Sequence, residues 1–175
     1  MNILVSHCFF GEPCRYDGVS RVDRQVLELH RAGHNLIPVC PEVLGGLDTP
    51  RDPAELQPDG RVVNKEGVDV TAAYRAGAER TLAIAREKGC TAAVLKANSP
   101  SCGSRRVYDG TFTGTRIPGE GVAARMLRRA GVQVMDEEEL EHIRQYSQEL
   151  GYRCEGAFAL DCIRYVMEQG DTPHK

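Results

Sequence analysis

Thr91-Ala92-Ala93-Val94-Leu95-Lys96 runs into Asn98-Ser99-Pro100-Ser101-Cys102-Gly103: an apolar segment of strand length empties into a polar loop that carries proline, serine and cysteine. Just upstream, Val70 to Lys88 sets Ala72, Ala73, Ala76, Leu82, Ala83 and Ala85 in an alanine-rich helical pattern closed by Gly89. Helix, strand and cysteine loop in that order are half of a crossover unit. The same ending occurs twice earlier. Asn2-Ile3-Leu4-Val5-Ser6-His7-Cys8 reads as a buried first strand, and Asn35-Leu36-Ile37-Pro38-Val39-Cys40 as a second, in which Pro38 forfeits a ladder donor and predicts an edge position.

Working outward, Arg21 to Ala32 is read as a helix stopped by Gly33, and Val122 to Ala130 as another, followed by a fourth strand Val132-Gln133-Val134-Met135. Asp136 is expected to cap an acidic helix over Glu137 to Leu150. Pro41 to Gly67, with four prolines and Gly45-Gly46, reads as a long non-helical excursion, and Tyr108 to Gly121 as a Gly- and Thr-rich loop. Strands alternating with helices predict an α/β protein, a Rossmann-like three-layer sandwich whose mainly parallel sheet has at least four strands. Right-handed crossovers then bring all strand C-termini to one edge, where ligands bind in such folds. Residues 1–140 are expected to form this domain and 141–175 a helical extension packed on it, with Ala157, Phe158, Leu160, Ile163 and Val166 marking a last helix.

Composition narrows the partners. With 41% hydrophobic and 27% charged residues the 175-residue chain has material for a real core. Its net charge of −3 is too balanced for the basic stripe that binds a nucleic-acid polymer. No apolar stretch approaches the ~20 residues of a membrane span, and the N-terminus shows neither a basic region nor a cleavage site, so a cytoplasmic protein with no membrane partner is expected. In a reducing compartment, seven cysteines are metal ligands, reactive thiols or small core residues.

Cys8, Cys40 and Cys102 are far apart in sequence, yet topology gathers them at one sheet edge. Three thiolates in one crevice repel unless a cation holds them, which points to a metal ion or an iron–sulfur cluster; small buried residues are the plainer alternative. No Cys-x-x-Cys pair supports a zinc ribbon or a thioredoxin-like site. Cys14 shares a loop with Cys8 and is read as a fourth ligand, a nearby thiol or neither, whereas Cys90, Cys154 and Cys162 are read as packing residues. Glu42 is a candidate general base and Ser99 and Ser101 candidate hydrogen-bond or proton donors. Arg15 and Asp17 are candidate contacts to a polar heterocycle, with surface pairing as the alternative; Arg51 is a candidate substrate anchor, with bridging of loop carboxylates as the alternative; and His7 is expected to alternate to the other strand face. Arg15-Tyr16-Asp17-Gly18 is echoed by Val107-Tyr108-Asp109-Gly110, where Asp-Gly is also a plain turn signal.

These blocks resemble the thiouracil desulfidase family. The matching motifs are Val5-Ser6-His7-Cys8-Phe9-Phe10-Gly11 with Cys14-Arg15-Tyr16-Asp17-Gly18; Pro38-Val39-Cys40-Pro41-Glu42 with Gly45-Gly46-Leu47 and Pro50-Arg51; Gly67-Val68-Asp69-Val70-Thr71; Lys96 with Ser99-Pro100-Ser101-Cys102-Gly103; and Tyr108-Asp109-Gly110-Thr111-Phe112. The resemblance implies a [4Fe-4S] cluster held by Cys8, Cys40 and Cys102 only, with one iron left open to the sulfur of a small thiolated substrate. It implies acid/base work by Glu42 and by Ser99 or Ser101 in a desulfuration without electron transfer. Phe9-Phe10, where members commonly carry leucines, departs from the pattern and bears on which substrate fits. A non-catalytic carrier of cluster or sulfide, and a zinc hydrolase using the same thiolates, are the competing readings.

Overall fold

The computed structural model describes residues 1–19 and 21–149. The elements in chain order are β1 (Asn2–Ser6), α1 (Arg24–Arg31), β2 (Asn35–Val39), α2 (Pro41–Leu44), β3 (Ala54–Leu56), β4 (Val62–Asn64), α3 (Thr71–Glu87), β5 (Ala92–Leu95), β6 (Arg106–Tyr108), β7 (Arg116–Pro118), α4 (Val122–Arg129), β8 (Gln133–Asp136) and α5 (Glu137–Glu149). Four strands form one parallel sheet in the order β2-β1-β5-β8. Pro38 lies on β2, at the edge, where its missing N–H costs no ladder bond.

Strand periodicity of two divides the apolar residues between two cores. Ile3, Val5, Ala92, Val94 and Met135 face one way and pack with Val26 and Leu29 of α1 and Leu140 of α5. Leu4, Ala93, Leu95 and Val134 face the other way, onto Ala85 of α3 and Ala124 and Leu127 of α4. Helices thus cover both faces, and the three-layer sandwich stands. Ile3, Leu4, Leu95 and Leu127 are fully buried. Each such burial contributes roughly 1.5–3 kcal/mol, so the two middle strands hold the sheet edge rigid.

Local chemistry sets the helix ends. Asp23 caps α1, its side chain accepting from the N–H groups of Gln25 and Val26, so the helix starts at Arg24 rather than Arg21. Asp136 Oδ1 accepts from Glu139 N at 2.8 Å, the cap expected from the sequence. The excursion after Pro41 is not wholly irregular. It opens with the single turn α2 and then forms the antiparallel hairpin β3-β4, while Tyr108 to Gly121 belongs largely to a second hairpin, β6-β7. Turn α2 packs on α3 through two glycines. A Cβ on Gly45 would lie 2.0 Å from Ala73 O, and one on Gly77 would lie 1.8 Å from Pro41 O. That backbone contact sets where Glu42 projects. Helix α5 continues through residue 140, where the sequence division was drawn. The expected last helix and Cys154 and Cys162 lie outside the described residues. Among those described, no helix is long and apolar enough to cross a membrane.

Candidate functional site

In chain order the sheet strands wind one way from β1 to β2 and the other way to β5 and β8, so the direction changes between β1 and β5. The crevice outside the carboxyl ends of strands at such a point is a natural ligand site. A cavity of about 240 Å³ opens there, lined by Ser6 at the end of β1 and Cys8 just past it, by Val39 at the end of β2 and Cys40 just past it, and from the loop after β5 by Ser99, Ser101 and Cys102. Three chain segments therefore bring the three predicted cysteines to one space. His7 lines the same cavity, because the chain leaves β1 at Ser6 and curls through a 3-10 turn over His7–Phe9 instead of continuing its alternation.

All three are free thiols. Burial pushes the Cys102 thiol up to about 12, with Cys40 and Glu42 adding to the rise and hydrogen bonds from Ser101 and Ser6 opposing it. The Cys40 thiol is driven well above the ordinary range by its contact with the Cys14 thiol, and then by burial. For Cys14 the Cys40 contact pulls down, but the Cys8 contact, burial and the Cys8 charge outweigh it and raise the thiol to about 11. Cys14 is thus a neighbour of two predicted ligands. Cys90, near the N-terminal edge of β5, packs in the core beside Ala85.

The donor set fits a thiolate-bound cluster. An iron–sulfur cube carries its thiolates on separate irons and is matched by soft sulfur donors spread around a cavity.

Beside the thiols stands a carboxylate with its donors. Arg51 Nε donates to Glu42 Oε2 at 2.8 Å, and its Nη2 pairs with the same oxygen. The remaining Arg51 N–H groups reach Asp48 O at 3.0 Å, Thr49 Oγ1 at 3.1 Å and Cys14 O at 3.0 Å. All five guanidinium donors therefore have protein acceptors, and none is left for a substrate. Ser101 Oγ lies 3.2 Å from Glu42 Oε1 and 3.5 Å from Cys102 Sγ. Ser99 Oγ accepts from Ser101 N and Cys102 N, both at 3.1 Å, so its own proton is directed to Ser101 Oγ at 3.0 Å. Of the two serines, Ser101 faces the carboxylate, and Ser99 holds it there.

Residues 3–139 of the chain match the family model described as 2-thiouracil desulfurase. The chain belongs to that family. The Bacillus subtilis protein YbbK, described as uncharacterised, is 43% identical over 150 residues, which are 81% of this chain and 99% of YbbK. A solved structure described as the [4Fe-4S]-dependent thiouracil desulfidase TudS is 45% identical, with a TM-score of 0.74 over 81% of this chain and 93% of that one. The matched span contains every cavity residue named above.

Arg15 lines the cavity, but Asp17 does not. Its carboxylate accepts from Val19 N at 3.0 Å and pairs with Arg15 at 3.3 Å, which makes it part of a turn. Sequence reasoning missed Ser6 and Tyr74. Ser6 Oγ accepts from Lys96 N at 2.9 Å and donates to Cys102 Sγ at 3.8 Å, tying β1 to the cysteine loop. Tyr74 is buried on α3 and lines the cavity with Glu42; burial first, and then the Glu42 charge, hold its hydroxyl proton on. Nothing in an alanine-rich helix flags that tyrosine, whereas a serine ending a strand beside a cysteine is a readable signal.

Proposed function

We propose that the chain is a [4Fe-4S]-dependent desulfidase that replaces the thiocarbonyl sulfur of a thiolated nucleobase such as thiouracil by oxygen. The observation that carries this reading is the convergence of Cys8, Cys40 and Cys102 on one cavity together with Glu42 and Ser101. Cys8, Cys40 and Cys102 would hold the cluster. When bound, the cluster supplies a Lewis-acidic iron without a protein ligand, to which the substrate sulfur is drawn.

The chain's own groups do the rest. Glu42 takes a proton from a water whose oxygen attacks the thiocarbonyl carbon; the added hydroxyl then gives up its own proton and forms the carbonyl double bond as the carbon–sulfur bond breaks, and sulfide leaves with the displaced electron pair and takes up the two protons. Water and thiocarbonyl become carbonyl and hydrogen sulfide, with no net oxidation. Arg51 is a positioning residue that aims Glu42, and Ser101 hands a hydrogen bond between Glu42 and the reacting centre. Arg15 remains available to orient the heterocycle.

Anaerobic purification or reconstitution tests the reading. Expected are about four irons per chain with the absorbance of a cubane cluster, and sulfide release from 2- or 4-thiouracil. Cys40→Ala should lose the iron. A colourless zinc protein would overturn the cluster, and a loaded protein that releases no sulfide would be a carrier.

A further inference from the structure

The chain is poor in aromatics, with six tyrosines, four phenylalanines and no tryptophan. Three of those tyrosines, Tyr16, Tyr74 and Tyr108, line the one cavity. Tyr74 is engaged with Glu42. The other two come from the repeated Tyr-Asp-Gly sequences, and both repeats are built alike. Asp17 Oδ1 accepts from Val19 N and Asp109 Oδ1 accepts from Thr111 N, each at 3.0 Å, and each aspartate is followed by a glycine at positive φ, Gly18 at 67° and Gly110 at 92°. The aspartate folds the turn and the preceding tyrosine is delivered to the cavity wall.

The same excursion anchors both turns. Arg51 N donates to Tyr16 O at 2.8 Å. Four residues on, Glu55 Oε1 accepts from Gly110 N at 3.0 Å and Phe112 N at 3.1 Å. A buried carboxylate used to brace a surface hairpin fixes the position of Tyr108, while Tyr16 lines the cavity and stays 44% exposed. Aromatic faces recognise flat heterocycles by stacking, with little dependence on which polar substituents the ring carries.

We propose that Tyr16 and Tyr108 are specificity-determining residues that form the aromatic walls for a planar heterocyclic substrate. This rests on the desulfidase reading for the identity of the heterocycle. The walls act on binding and not on the carbon–sulfur bond. They therefore select for planarity, and a ring saturated at two carbons is rejected even when its amide groups are unchanged.

Uracil and 5,6-dihydrouracil are the probes, since neither carries sulfur and both can be titrated into protein with or without iron by calorimetry. The parent protein should bind uracil at least about tenfold more tightly than dihydrouracil, in the range that stacking on one side chain supplies. Tyr16→Leu and Tyr108→Leu should each remove most of that preference and raise KM for 2-thiouracil about tenfold with kcat within about twofold, while Tyr16→Phe and Tyr108→Phe restore parental values. Equal binding of the two probes by the parent, unchanged preference in both leucine variants, or phenylalanine variants as weak as leucine variants would each overturn the proposal. If the iron-loaded parent releases no sulfide yet shows the tyrosine-dependent preference, the desulfidase reading falls and the aromatic walls stand. If sulfide is released and the leucine variants are neutral, the walls fall alone.

Discussion

Two carboxylate–arginine–serine sets flank the loop that follows β5. Glu42 has Arg51 and Ser101; Asp136 has Arg105 and Ser104, and the two serines are three residues apart on that loop. Composition does not distinguish them. Asp136 accepts from Ser104 Oγ at 3.1 Å, from Arg105 Nε and Nη2 at 3.2 Å each, and from Glu139 N at 2.8 Å. The backbone N–H of Glu139 cannot turn away, and Ser104 is shared with a second carboxylate, Glu139 Oε1 at 3.1 Å. Glu42 is held on one oxygen by Arg51, and its other oxygen meets the hydroxyl of Ser101. Ser101 has another acceptor in Cys102 Sγ. A hydroxyl that rotates toward that sulfur frees a lone pair of Glu42 for a water in the cavity. Both carboxylates border open space, Glu42 the cavity of the cysteines and Asp136 a smaller one of about 160 Å³, so what separates the proposed base from its counterpart is donors that can move.

The largest expected effect tests that difference directly. Glu42→Gln should keep the iron and lower sulfide release by 10²- to 10⁴-fold, the usual worth of a positioned base. Asp136→Ala should leave turnover per iron within about twofold. If the two substitutions cut turnover alike, the contrast between the sets is wrong. Next in size, Ser101→Ala should reduce kcat by about tenfold or more, whereas Ser104→Ala, which removes a buried hydrogen bond, should cost about 1 kcal/mol of stability and no turnover. Steady-state kinetics normalised to iron, with thermal melts, reads both.

Asp136→Ala carries its own smaller consequence. Its cap on α5 is worth about 0.5–2 kcal/mol. The buried bond from Ser104 is worth about 1 kcal/mol more, and because Arg105 is 46% exposed the lost ion pair adds little beyond it. A fall in Tm of a few degrees is expected. A fall of tens of degrees would mean that Asp136 holds far more than the start of one helix.

Much of this was legible in the sequence, and the limits have physical causes. Apolar runs ending at Cys8, Cys40 and near Cys102 mark the sheet, and Pro38 marks its edge, because burial and ladder bonding act residue by residue. The two hairpins were not legible. Their strands are three residues long, and β6-β7 is braced by Glu55, more than fifty residues from Gly110. Turn α2 was missed because four residues nucleate poorly alone; Pro41 at its first position and the Gly45–Gly77 approach to α3 sustain it. For Arg51 the sequence leaves a substrate anchor and a bridge to loop carboxylates both open, because it shows a cation beside a turn and not that all five of its donors are taken; the structure pairs it with Glu42. For Asp17 it leaves a heterocycle contact and a surface pair open; the structure pairs it with Arg15 in an Asp-Gly turn, and the tyrosine before it is what reaches the cavity.

The smallest effect belongs to Cys90 and separates the two edges of the sheet. Cys8, Cys40 and Cys102 follow strand C-termini, whereas Cys90 precedes β5 and is 7% exposed against the α3 and α4 core. Burial raises its thiol above the ordinary value, so at neutral pH it is protonated and behaves as a small apolar side chain. Cys90→Ser should leave iron content and sulfide release unchanged and cost about 1 kcal/mol or less, the penalty for setting a hydroxyl where a thiol packed. Iron per chain and Tm measured side by side check it. Iron lost from Cys90→Ser would show that thiols recruit metal here by chemistry alone, and that strand direction does not sort ligands from core.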